Sequence, residues 1–289
     1  MSTKLVNEDY PKTNKPVSDN QLKKIAEAQY KAEQASEASE ARDFPTEIVE
    51  LPSKGQFYPE GHALSTGKIE MKYMTAKEED ILTNQSFIKS GVVLDKLFRS
   101  LIITPVDYNS ILLGDKNAIM VAARVLGYGK DYDISVTDDD GNRQEICVDL
   151  TQLGEKNIDW DVFESDNAFK YTLPVSKREV KVQHLTHGLQ RKIDAEIKGL
   201  AKLKKAPADL TTRLKHTIVE IDGDDSTGTI RKFVDTELLA IDSRALRKFI
   251  ESITPDIDLK IDCLSEETGD NFRSSVNIGL DFFWPDVEL

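Results

Sequence analysis

The stretch Lys68-Ile69-Glu70-Met71-Lys72-Tyr73-Met74-Thr75-Ala76-Lys77-Glu78 decides the fold. Ile69, Met71 and Tyr73 alternate with Glu70 and Lys72, the period of two that marks a half-buried strand. Thr75 and Glu78 then stand at capping-box spacing, so a helix begins at Ala76. The same passage returns later in the chain. Glu179 to Leu185 alternates again through Val180 and Val182, and Thr186 opens a second helix 111 residues after Thr75. Ile69 thereby corresponds to Val180, Met71 to Val182 and Met74 to Leu185.

Upstream, Thr46 to Leu51 reads as a partner strand, followed by the loop Pro52-Ser53-Lys54-Gly55-Gln56-Phe57-Tyr58-Pro59-Glu60-Gly61. Downstream, Val93, Leu94, Leu97, Phe98 and Leu101 recur at helical spacing, predicting a helix from Val92 to Ile103 that Pro105 stops. Asp115 is expected to cap a third helix, which Gly127 and Gly129 end. Tyr132 to Thr137 and Glu145 to Leu150 form a hairpin about the turn Asp138-Asp139-Asp140-Gly141-Asn142.

The second half repeats this order. Phe169 to Leu173 with Pro174-Val175-Ser176-Lys177 echoes Leu51-Pro52-Ser53-Lys54. Leu239-Ala240-Ile241-Asp242 echoes Leu112-Leu113-Gly114-Asp115, now 127 residues on, and a helix with Leu246, Phe249 and Ile250 follows. Ile257 to Ile261 and a return through Val276, Ile278 and Leu280 make the final hairpin. The growing offset places about sixteen extra residues in the second copy, assigned to Lys198–Lys205 or Asp222–Thr229. The expected fold is α/β of the α+β type, with two pseudo-repeated units, each a small antiparallel sheet with two or three helices. The boundaries are a flexible acidic, helical arm over 1–45 that is expected to contact partners, a first unit over 46–152, a connector over 153–167 and a second unit over 168–289.

Of the 289 residues 39% are hydrophobic and 31% charged, with a net charge of −13. That balance suits a globular protein with a strongly solvated surface, and it argues against nucleic acid as the partner, because phosphate binding needs clustered Lys and Arg. No apolar run reaches the ~18 residues of a membrane span, and the N-terminus lacks the apolar core of a signal peptide. Two cysteines do not make a disulfide framework. A cytoplasmic setting is expected.

Catalytic chemistry finds little to stand on. Gly127-Tyr128-Gly129-Lys130 follows a helix, where carbonyl groups repel phosphate, and it lacks Walker spacing. Asp138-Asp139-Asp140-Gly141 lacks the Glu and spacing of a calcium loop. Cys147, His184, His187 and Cys263 contain the donor types of a zinc site, yet neither cysteine has a second ligand near it in sequence. No enzyme activity and no cofactor are expected. The aromatic pairs Phe57-Tyr58 and Phe283-Trp284 either pack back on their own units or anchor a partner, as interface aromatics do. They are the expected partner-binding residues, with alanine at Phe57 and Tyr58 expected to weaken partner recovery and leave stability unchanged.

The run Leu51-Pro52-Ser53-Lys54-Gly55, Phe57-Tyr58-Pro59, Gly61 and then Ile69 through Asn84 resembles the base-plate hub assembly proteins of T-even-like myophages. So do Gly91-Val92-Val93-Leu94-Asp95-Lys96-Leu97 and Leu113-Gly114-Asp115-Lys116-Asn117-Ala118 with the Gly-Tyr-Gly-Lys run after it. The likeness is strong over 45–150 and weak beyond. It implies a hub component or hub assembly factor of a phage contractile-tail base plate, with other hub and tail proteins as partners. The implied setting is the host cytoplasm during assembly, and the tail if the protein stays in the particle. Relatives carry paired cysteines in the hairpin after the third helix; this hairpin holds Cys147 alone, so their zinc knuckle does not carry over. The alternatives are a chaperone for the tape-measure or tail-tube protein, absent from the mature virion, and a metal-dependent hydrolase.

Overall fold

The computed structural model describes residues 45–158, 160, 163, 167–203, 208–279 and 281–283. The arm over 1–44, Leu280 and the tail from Trp284 lie outside them.

Strand β1 (Thr46–Glu50) pairs antiparallel with β2 (Lys68–Lys72), Val49 opposite Ile69. Ile69 and Met71 point inward and are buried, as their alternation requires. Helix α1 (Ala76–Leu82) starts where Thr75 predicts; the Thr75 N–H and hydroxyl both donate to the Glu78 carboxylate, at 3.0 and 2.6 Å. Helix α2 (Gln85–Ser90) was not expected. Asn84 accepts from the Ser86 and Phe87 amides to open it, and Gly91 closes it at a φ of 69°. Helix α3 (Val93–Leu101) buries Val93, Leu97, Phe98 and Leu101 as one stripe. It ends before Ile102 because the next residues leave it to edge β2: Ile102 bridges Met71, and the Ile103 amide donates to the Glu70 carbonyl.

Helix α4 (Leu113–Tyr128) has Leu112 at its N-cap, which corrects the role given to Asp115. Asp115 sits in the first turn with its carboxylate bonded to a distant loop. Gly127 is also inside the helix, against Met74, and the stop comes from Gly129 alone. Strands β3 (Asp131–Thr137) and β4 (Arg143–Asp149) form the expected hairpin.

The order recurs in the second half. Strands β5 (Phe169–Thr172) and β6 (Glu179–Val182) are antiparallel, with Val180 opposite Tyr171. Helix α5 (His187–Lys202) is capped by Thr186, whose hydroxyl accepts from the Leu189 amide. Helix α6 (Asp209–Thr217) has the length of α3, and β7 (Ile218–Ile221) then pairs with β6 where Ile102 bridges β2. Helices α7 (Thr227–Lys232) and α8 (Ala240–Ile253) and the hairpin β8 (Lys260–Leu264) and β9 (Asn271–Ser275) complete the chain.

The extra residues are divided: Thr186 to Ile218 is five longer than Thr75 to Ile102, and Ile218 to Leu239 is eleven longer than Ile102 to Leu112. The second span holds the rest of β7 and α7. The last hairpin is shorter than expected, because Ile257 bridges Glu155 of the connector before β8 begins.

The described residues are thus mixed α/β, with four small antiparallel sheets of two or three strands among them. Residues 45–289 form a compact unit. One hydrophobic cluster joins Leu51, Met71, Phe98 and Leu101 to Phe169, Val182, Phe233 and Leu246, so both halves share a core. A smaller cluster of Val136, Cys263 and Phe272 packs the two hairpins together. Each fully buried Phe or Leu contributes ~2–3 kcal/mol of burial free energy. Among the described residues, no helix is long and apolar enough to cross a membrane.

Candidate interaction surfaces and the junction between the halves

The loops after β1 and β5 are built alike. Lys54 and Lys177 both take positive φ, 51° and 58°, a conformation stabilised here from outside the loop. In the first half Asp115 does this. Its carboxylate accepts the Ser53 amide at 2.9 Å, the Ser53 hydroxyl at 2.7 Å and the Tyr58 hydroxyl at 2.6 Å. The Tyr58 oxygen in turn accepts the Leu112 amide at 3.0 Å. In the second half Asp242 accepts the Val175 and Ser176 amides at 2.8 and 3.0 Å. Both aspartates stand third in their helices, so the helix N-terminus also favours their charge. Burial pushes the Asp115 carboxyl up, against the pull of its Tyr58 and Ser53 bonds. Desolvation pushes Asp242 up too, but the Val175 and Ser176 bonds outweigh it and hold it below the usual value.

The halves meet where α4 begins. Residues 111–113 run antiparallel to 185–187: the His187 amide donates to the Ile111 carbonyl at 2.8 Å, and the Leu113 amide donates to the Leu185 carbonyl at 3.0 Å. At Gly114 an added Cβ would lie 1.9 Å from the Pro255 carbonyl oxygen, so only glycine fits. Asn117 donates to Asp256 across the seam at 2.9 Å. His187 continues it, with Nδ1 3.1 Å from the Lys116 ammonium and Nε2 3.1 Å from Asp95. Lys116 donates to Nδ1, so Nε2 carries the hydrogen that Asp95 accepts.

This geometry relocates the aromatic candidates. Phe57 is buried in a cage of Trp160, Phe163, Phe169 and His184, with centroids 4.7 to 6.1 Å away. Tyr58 is the Asp115 donor, and burial keeps its hydroxyl protonated. Phe283 packs on Phe98, while Phe282 packs on Tyr132 and its carbonyl accepts from Arg124. Phe57 and Phe283 therefore pack between the halves while Tyr58 ties the loop after β1 to the start of α4, and the expectation that Phe57 and Tyr58 can be truncated without loss of stability is withdrawn. Trp284 is outside the described residues.

The possible zinc donors are not brought together. His184 lies in the aromatic cage, His187 at the seam, Cys147 on the exposed face of β4 and Cys263 between the hairpins. Among the described residues no three His, Cys, Asp or Glu side chains are grouped as metal ligands. Asp138 serves its own turn, accepting the Asp140 and Asn142 amides, and also the Ser265 hydroxyl of the facing hairpin.

A cavity of about 540 Å³ lies beside the seam, lined by Leu112, Met120, His184, Leu214 and Ile250 and rimmed by Arg213, Arg247, Glu251 and Asp256. Its lining carries charges of both signs and its wall is mainly apolar, without a convergent set of groups for proton or nucleophile chemistry.

Sequence reasoning missed a surface. Val175, Leu239 and Ile241 are large, apolar and exposed, and the Asp242 bond to the Val175 amide draws them to one place. The matching of Leu239-Ala240-Ile241-Asp242 to Leu112-Leu113-Gly114-Asp115 carried the signal: an isoleucine stands where the seam of the first half tolerates only glycine.

No protein-family model matches the chain, and neither the curated proteins nor the solved structures yield a match.

Proposed function

We propose that this protein is a hub component or hub assembly factor of a bacteriophage contractile-tail base plate, working through protein–protein contact. The observation that carries the reading is the pair of runs Leu51 to Gly61 and Ile69 to Asn84, whose residues resemble those of myophage hub assembly proteins. The positions quoted for that likeness include the frame of the first half. Leu51, Ser53, Tyr58, Ile69, Met71, Glu78 and Leu82 are all buried, so the likeness concerns the fold-determining residues and not a short surface motif. The buried charged groups Asp115, Asp242 and Glu78 brace loops and helix starts, which supports a scaffold more than a reaction centre.

The test is affinity purification of the tagged full chain from infected host cells late in tail assembly, followed by mass spectrometry. Enrichment of hub and tail subunits is expected. Recovery of host or replication proteins with no tail subunit overturns the assignment.

A further inference from the structure

The seam between the halves uses two faces: the start of α4 on the first half, and the turn from β6 into α5 with Pro255–Asp256 on the second. Each half has a counterpart of both, so one of each is left over. On the second half the spare is Leu238–Asp242 at the start of α8. On the first half it is Tyr73–Ala76, the turn from β2 into α1, with Tyr128–Gly129 standing where Pro255–Asp256 stand.

Both spare faces are bare in the way an unfilled joint would be. Leu112 is 3% exposed in the seam, but Leu239, its counterpart, is 46% exposed and Ile241 66%, with Val175 beside them at 50%. On the other spare face Tyr73 is 39% and Tyr128 37% exposed. The backbone repeats the point. Ile111 and Leu113 are hydrogen-bonded to 185–187, while among the described residues the Leu238 carbonyl and Ala240 amide, and the Met74 carbonyl and Ala76 amide, pair with no other segment.

Charge selects the occupant. The exposed side of α8 carries Arg244, Arg247 and Lys248 against the single Glu251, a net basic face on a chain of net charge −13. The exposed side of α1 carries Glu79 and Asp80 beside the single Lys77. A second copy approaching with its α1 face brings acidic side chains to this basic patch and so relieves the repulsion between two acidic chains at that point.

We propose that the start of α8 receives the Tyr73–Ala76 turn of a second copy of this chain, head to tail, through the counterparts of the internal seam's two faces and by side-chain contact in place of its backbone bonds. Ile241 cannot lie flush as Gly114 does. The joint closes at side-chain distance, with Ile241 as the knob and the open space over Gly129 as its seat. Such a contact is heterologous, so it builds a ring or a row and not a two-fold pair.

The test is the mass of the full chain in solution by sedimentation or light scattering across a wide concentration range. Two variants accompany it, Leu239→Asp with Ile241→Asp and Tyr73→Asp with Glu79→Lys. The first pair keeps its helix start, since acidic residues suit that position; circular dichroism checks both for folding. The wild-type mass is expected to climb from 32.5 kDa through multiples with concentration, less steeply in high salt. Each variant alone is expected to stay monomeric. Mixed, they retain one intact joint and are expected to stop at a 1:1 dimer. A wild-type chain that is monomeric throughout overturns the inference, as does a folded α8-face variant that assembles like wild type, or a mixture that fails to dimerise. The inference rests on the reading of the chain as a scaffold acting through surfaces, and the two fail separately. Loss of self-association with tail subunits still recovered removes only the joint, whereas self-association without tail subunits removes only the base plate.

Discussion

Replacing Asp115 with alanine tests how the first half is held. The carboxylate is fully enclosed and takes three bonds from Ser53 and Tyr58, groups that are themselves buried. Each buried donor left without an acceptor costs ~1–3 kcal/mol. Release from holding a carboxylate away from water offsets part of that, which leaves a net loss of ~3–5 kcal/mol. At ~2–4 °C per kcal/mol for a chain of this size, the thermal midpoint falls by ~6–20 °C. Tyr58→Phe removes one of the three bonds and strands the Leu112 amide, for ~2 kcal/mol. The assay is guanidinium denaturation of wild type, both single variants and the double variant, followed by circular dichroism. Direct neighbours are coupled, so the cycle returns an interaction energy of ~1.5–3 kcal/mol. Strict additivity, or a midpoint for Asp115→Ala equal to wild type, refutes the reasoning; Tyr58→Phe keeps the test readable if Asp115→Ala does not fold.

Gly114→Ala drives a methyl group into the Pro255 carbonyl and is expected to cost ~3 kcal/mol; denaturation within ~0.5 kcal/mol of wild type contradicts the close seam. Phe57→Ala empties the aromatic cage and is expected to lose ~3–5 kcal/mol, seen as a lowered thermal midpoint, where an unchanged midpoint returns Phe57 to the surface. Burial alone depresses the His184 imidazole from 6.5 to about 4. A depressed folded-state value means the unfolded chain binds the proton more tightly between those limits. Stability from this group is therefore complete above pH 6.5 and falls by up to ~3 kcal/mol as pH drops to about 4. The slope is measured by denaturation across that range, and a His184→Phe variant retaining the full slope contradicts the assignment.

The sequence was most legible where structure is local. Period-two alternation located β2 and β6, and Thr75 and Thr186 marked two helix starts to the residue. The Asp-Gly turn located the first hairpin. Asp115 was misread because its helix-start position suggests a local cap, while its partners lie 62 and 57 residues earlier. Strand β7 escaped notice because Ile218–Ile221 is a four-residue run between helices, defined only by its pairing to β6. The same non-locality hid the fate of Phe57: a loop aromatic looks exposed until Trp160, Phe163 and His184 from later in the chain close over it. The exposed Leu239 and Ile241 were visible only by asking what their counterparts in the first half touch.

Hydrogen exchange by mass spectrometry, on the chain alone and again with the tail subunits it recovers from infected cells, bears most directly on whether surfaces do the work of this protein. Protection at 73–80, 128–129, 175 and 238–248 is predicted already in the concentrated chain alone, where copies join, and the tail subunits are predicted to protect further exposed surface, with the walls of the central cavity at 112–120 and 210–217 unchanged. Protection confined to those walls, with both faces as open as before, would show that a ligand in the interior carries the function instead.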